Sequence, residues 1–133
     1  MAGTGKAHLR DSPAPILRIE DLVIEYRTKG ELPVQAVSGV SLEVHSGETL
    51  AIIGESGCGK TMTAMAIMGL LNEHSLKISS AGIEINGKDI SRLSRSQKRA
   101  VLGQDISMIF QQPEKQFFLQ TVADELEFGL KKR

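Results

Sequence analysis

Apolar and polar positions alternate through residues 16–27, Ile-Leu-Arg-Ile-Glu-Asp-Leu-Val-Ile-Glu-Tyr-Arg. Alternation with β-branching favours strand, with Glu20 and Asp21 as a break. The turn-like Thr28-Lys29-Gly30-Glu31 follows, and residues 34–45 again read as extended, interrupted near Ser38 and Gly39. Ser46 and Gly47 lead into a short apolar run at 49–53, the expected core strand. Two or three antiparallel strands thus precede that run. Residues 61–71 are apolar nearly all round, the pattern of a buried helix whose methionines fill the core. Residues 72–80 read as a polar connection with a solvated His74. Asn86-Gly87 between short apolar runs predicts a hairpin. Ser94 and Gln97 form a capping-box pattern ahead of a helix at 95–102. Residues 106–110 predict another strand. Thr121 is placed to cap a last helix with Val122, Leu126 and Leu130 on one face. Residues 1–15, small and proline-containing, read as a flexible arm.

The strand at 49–53 and the helix behind it bracket Gly54-Glu55-Ser56-Gly57-Cys58-Gly59-Lys60-Thr61, the pattern Gly-x-x-x-x-Gly-Lys-Ser/Thr. Strand, glycine-rich loop and helix in this order are the context a phosphate-binding loop requires. Gly54, Gly57 and Gly59 allow a tight turn and close approach to an anion. The amides from Glu55 to Thr61, with the positive helix end behind them, form a nest for phosphate oxygens. Lys60 supplies a mobile positive charge for the β- and γ-phosphates. Thr61 offers a hydroxyl to Mg²⁺, a cation that prefers hard oxygen ligands and keeps several waters. Cys58 is a small residue that fits the loop, placing a thiol where bound nucleotide would shield it.

Composition narrows the setting. The chain has 133 residues, enough for one domain with a real core. Sixteen basic and sixteen acidic side chains cancel, so no basic face points to nucleic acid. The apolar stretches are far shorter than a membrane span, and the amino terminus lacks the apolar centre of a secretory signal. The single cysteine fits a reducing cytoplasm.

A guanine reader needs Asn-Lys-x-Asp; the nearest candidate, Asn86-Gly87-Lys88-Asp89, has another order and lies in the hairpin. Small-molecule kinases begin almost directly with the phosphate-loop strand, whereas here about fifty residues of β-rich sequence come first. From 16 to 112 the chain resembles the amino-terminal half of an ATP-binding cassette (ABC) transporter nucleotide-binding domain. The phosphate loop with the following Met62-Thr-Ala-Met-Ala-Ile-Met-Gly-Leu-Leu is similar to the dipeptide and oligopeptide importer branch. So are Leu22-Val-Ile-Glu-Tyr-Arg-Thr, Gly47-Glu-Thr-Leu-Ala-Ile-Ile and Asp105-Ile-Ser-Met-Ile-Phe-Gln. After Gln111 the sequence is more similar to the energy-coupling-factor branch, which handles vitamins and metal ions.

The resemblance implies an α/β fold: a P-loop NTPase core with a partial parallel sheet and helices, preceded by an antiparallel β subdomain. The β subdomain and core would run to about 112, with a helical region beginning at 113–133. It implies that Tyr26 stacks on adenine, that 54–62 including Met62 surround the nucleotide, and that Gln111 touches Mg²⁺ or the attacking water. The implied ligands are ATP and Mg²⁺. The implied partners are transmembrane permease subunits and a second nucleotide-binding domain, with the protein peripheral on the inner, cytoplasmic face of the cell membrane.

Family members continue through a Leu-Ser-Gly-Gly-Gln signature, a Walker B strand and a switch histidine, none of which occurs in this sequence. Val122-Ala-Asp-Glu125 superficially imitates Walker B, yet its apolar run is short and Thr121 with the following spacing reads as a helix. Hydrolysis needs a carboxylate to orient water and a neutralising partner, so the isolated chain is expected to bind nucleotide without turnover. The other reading, from a different class, is a truncated non-catalytic remnant or interaction module.

Overall fold

The computed structural model describes residues 14–27, 30 and 32–131. The expected arm at 1–15 and the turn at 28–31 lie largely outside that set.

Strand β1 (Leu17–Tyr26) is the centre of an antiparallel sheet. It pairs along one edge with β2 (Val34–Val44). Along the other edge its first half pairs with β4 (Gly82–Ile85) and its second half with β3 (Leu76–Ser79). A short β5 (Lys88–Asp89) closes the Asn86-Gly87 hairpin, where both turn residues have positive φ, 50° and 74°. That is the geometry an Asn-Gly turn favours.

The predicted break at Glu20 and Asp21 is a bulge. Asp21 sits at φ 50°, and the β1–β2 register shifts between Ile19 and Leu22. The extra residue changes the phase of the alternation, so Ile19, Leu22 and Ile24 all reach the same core although their spacing is not strictly even. These three side chains are fully buried against Val37, Leu76, Ile83, Ile85 and Ile90, with Ala66, Ile67 and Val101 contributed by helices. Burying each of the three stabilises by about 1.5–3 kcal/mol.

Helix α1 (Lys60–Ile67) is shorter than the predicted 61–71. Gly69, at φ 61°, ends it in a Schellman arrangement: its N–H donates to Ala66 O at 3.0 Å and the Leu70 N–H donates to Met65 O at 2.9 Å. The helix is also less enclosed than its apolar sequence suggests. Thr63, Ala66 and Ile67 are buried, Met62 and Met65 half-buried, and Thr61 exposed.

Residues 72–80 correct another expectation. His74 is exposed as predicted, but Leu76–Ser79 forms β3, with Leu76 buried beside Tyr26 in the ladder. Helix α2 (Arg95–Val101) begins at the predicted capping box, with both reciprocal hydrogen bonds present. Helix α3 (Val122–Lys131) begins after Thr121, whose Oγ1 accepts from the Asp124 N–H at 3.2 Å. Its Val122, Leu126 and Leu130 remain exposed.

The two runs predicted as core strands do not form ladders among the described residues. Residues 48–55 are irregular, with Leu50 and Ile52 exposed and Ile53 91% exposed. Past the isolated parallel bridge between Leu102 and Ile106, residues 107–110 are irregular too. A strand exists only with a partner for its N–H and C=O groups, and neither stretch is paired into a ladder with another described segment. The antiparallel β subdomain is therefore present, while no parallel sheet is seen among the described residues.

Candidate functional site

The glycine-rich loop is anchored at its end to the sheet. Gly59 precedes α1 with φ 91°, and a Cβ there would meet Ala36 O at 2.7 Å and Val37 Cγ2 at 2.9 Å. Only glycine permits both that backbone conformation and that approach to β2. The buried Thr63 secures the same junction, its Oγ1 and N–H each donating to Gly59 O at 2.9 Å. The amino end of α1 has no side-chain cap, which leaves first-turn donors at its positive end for an anion.

Within the loop, Gly54 lies close to Cys58: a Cβ at Gly54 would meet Cys58 Sγ at 2.5 Å. Gly57 turns at φ 81°, and the Cys58 N–H donates to Glu55 O at 3.4 Å. Glu55, Ser56 and Cys58 are exposed. The Lys60 ammonium folds back over the loop, donating to Gly54 O at 2.7 Å, Glu55 O at 2.6 Å and Cys58 Sγ at 3.4 Å. An ammonium has three donors, so the loop's own acceptors satisfy it. A phosphate entering the loop exchanges with these carbonyls rather than meeting a bare charge.

Lys60, Thr61 and Ala64 line a hollow of about 960 Å³ whose remaining wall comes from residues within the 108–118 segment. Gln111 is on that wall, together with Gln112, Lys115 and Gln116. Three residues singled out by sequence, Lys60, Thr61 and Gln111, thus meet at one site across fifty positions of chain. The charged side chains on the lining are Lys60 and Lys115, both positive, which suits a polyanion.

Tyr26 stands apart from that lining. It ends β1, part-exposed, and its hydroxyl donates to Met62 Sδ at 3.7 Å in the first turn of α1. Tyr26 and Met62 are therefore brought together, beside the loop but not on the wall formed by Gln111.

Sequence reading missed Lys115, Gln116 and Phe118 as parts of the wall. The available signal was Pro113, which starts a 3-10 turn (Pro113–Gln116) and returns the chain toward Gln111. Asp124 and Glu125 are engaged in local structure. Asp124 Oδ2 accepts from the Thr121 hydroxyl at 2.6 Å, and Glu125 Oε2 accepts from the Phe118 and Leu119 N–H groups at 3.1 and 2.8 Å.

Among the described residues no group of three or more His, Cys, Asp or Glu side chains is placed to hold a metal ion. The Thr61 hydroxyl and the Gln111 amide oxygen are hard donors on the shared hollow, which fits Mg²⁺ carried in with phosphates and water. No described helix is long and apolar enough to cross a membrane.

The family described as ABC transporter matches residues 37–132. The dipeptide transport ATP-binding protein of Bacillus subtilis (strain 168) is 48% identical over 98 residues, 74% of this chain and 29% of that protein. The oligopeptide transport ATP-binding protein of the same organism is 43% identical over 98 residues, 74% of this chain and 27% of its own length. Its energy-coupling factor transporter ATP-binding protein is 37% identical over 115 residues, 86% of this chain and 37% of that protein. The aligned part of the chain thus spans 27% to 37% of the length of these curated relatives. With the family match extending over the glycine-rich loop, α1 and the Gln111 wall, this chain belongs to the ABC transporter family.

Proposed function

We propose that the chain binds Mg-ATP as part of the ATP-binding subunit of an ABC importer that takes up peptides. The observation that carries this is the meeting of Lys60, Thr61 and Gln111 on one hollow, beside an uncapped helix amino terminus. In this reading the loop amides and Lys60 hold the β- and γ-phosphates, and Tyr26, with Met62 behind it, offers its ring to the adenine. Base-on-ring stacking of that kind contributes about 1–3 kcal/mol. Thr61 and Gln111 hold Mg²⁺, which neutralises phosphate charge when bound. Gln111 also reports on the γ-phosphate to permease subunits in the membrane.

Peptide cargo is supported by the similarity to the dipeptide and oligopeptide transport proteins. The partners are permease subunits and a second nucleotide-binding domain, placing the protein on the cytoplasmic face of the cell membrane. The apolar runs at 49–53 and 106–110 belong, in this reading, to the parallel sheet of a P-loop core.

A thermal-shift titration tests the binding step. Binding only to the folded state raises stability by about 2.7 kcal/mol at a ligand concentration a hundred times Kd. We expect a saturable rise in Tm with Mg-ATP and none with Mg-AMP; equal, negligible shifts with both overturn the proposal.

A further inference from the structure

The carboxamide of Gln116, half-buried at the end of the 3-10 turn, bridges two backbone groups of the segment leading to Gln111. Its Nε2 donates to Met108 O at 3.3 Å, and its Oε1 accepts from the Phe110 N–H at 3.4 Å. These groups flank Ile109. In a parallel ladder, one residue of the neighbouring strand donates to the carbonyl before the residue it faces and accepts from the N–H after it. A primary amide carries a donor and an acceptor in one plane, so a single side chain reproduces that pairing. Gln116 takes the place of a strand partner opposite Ile109, in a stretch with no ladder beyond Ile106.

We propose that Gln116 is a positioning residue: its bridge across Met108 and Phe110 holds the adjoining Gln111 at the hollow that Lys60 and Thr61 also line. The proposal rests on the nucleotide reading above. Ile109 is 80% exposed, so packing does little to fix this segment, and the two side-chain hydrogen bonds supply the restraint. Leucine at position 116 matches the size but makes neither bond. Glutamate at neutral pH keeps an acceptor for Phe110 and sets a second acceptor against Met108 O.

The test uses the whole chain with two readouts. Amide hydrogen exchange of Phe110 without nucleotide reads the bridge itself. The ratio of fluorescent-ATP affinities with and without Mg²⁺ reads the position of Gln111. In Gln116→Leu we expect Phe110 exchange to rise and the Mg²⁺-dependent gain in affinity to fall about tenfold, the scale of two neutral hydrogen bonds. Gln111→Ala should lose the same gain, the double variant no more, and Gln116→Glu an intermediate part. Affinity without Mg²⁺ is the denominator of that ratio, so a loss shared by both conditions does not count toward the positioning role. Unchanged Phe110 exchange in Gln116→Leu overturns the bridge. Raised exchange with a wild-type Mg²⁺ ratio, or additive losses in the double variant, overturns the positioning role. A wild type that binds no nucleotide overturns the functional reading and this role with it.

Discussion

Replacing Lys60 by methionine removes the charge from the loop while keeping a long, unbranched side chain. In the free protein the Nζ donates to Gly54 O and Glu55 O at 2.7 and 2.6 Å. Both residues are exposed, so water replaces the lost ammonium and the free protein loses at most about 1 kcal/mol. The bound state is different. In the proposed complex phosphate oxygens take over from the carbonyls, and the charge-assisted bonds gained there exceed those given up, because acceptor and donor then carry opposite formal charges. A net difference of about 1.5–3 kcal/mol is a factor of roughly ten to a hundredfold in Kd. Equilibrium titration with a fluorescent ATP analogue, alongside thermal melting without nucleotide, separates the two effects. We expect a large loss of affinity with little change in Tm. A Kd within about twofold of wild type, or a collapse of the unliganded fold, would refute the assignment of Lys60 to phosphate.

Other expectations follow from the same structure. Gly59→Ala forces a Cβ against Ala36 O and Val37 Cγ2 at φ 91°; strain and displacement together should cost about 1–3 kcal/mol in urea unfolding, and wild-type stability would contradict the packing of loop on β2. Glu125→Gln weakens the two backbone hydrogen bonds its carboxylate accepts from Phe118 and Leu119; amide exchange there should rise while nucleotide affinity stays constant, and loss of a measurable ATPase rate would assign that acid a chemical role instead. Stability should also fall in acid. The Gln35 amide, then Lys77, holds the Glu25 carboxyl below its ordinary range, and Ser91, helped by Arg92, does the same for Asp89. A carboxyl whose pKa is lower folded than unfolded stabilises fully above about pH 4 and loses that contribution as pH falls through the folded value. Urea midpoints of Glu25→Gln and Asp89→Asn across pH 2–7 should therefore converge on wild type at the acid end; a constant gap would count against these interactions.

Local signals in the sequence carried most of the β subdomain. The break at Glu20 and Asp21 became the bulge, Asn86-Gly87 the hairpin, and Ser94 with Gln97 the capping box, because each depends on residues within a few positions. Leu76–Ser79 escaped because Leu-Lys-Ile-Ser offers only two apolar positions, and its strand character comes from pairing with β1. Periodicity alone implied strands at 49–53 and 106–110, but a ladder needs a neighbour that short-range pattern does not supply. The apolar run continues through Leu71, but Gly69 at positive φ ends α1 first, a backbone signal that hydrophobic pattern does not carry. The glycine loop was legible as a motif, and its meeting with Gln111 was legible only through resemblance. The contacts of Gln116 depend on the return of the chain after Pro113, which no periodicity encodes.

The central claim is that the backbone amides from Glu55 to Thr61 hold nucleotide phosphates. Amide nitrogen and proton shifts, followed while Mg-ATP and then Mg-AMP are titrated into the labelled chain, test it most directly. We predict that Mg-ATP moves the resonances of 55–61 together with Gln111 and that Mg-AMP leaves them in place; Mg-ATP shifts that miss this loop would contradict it.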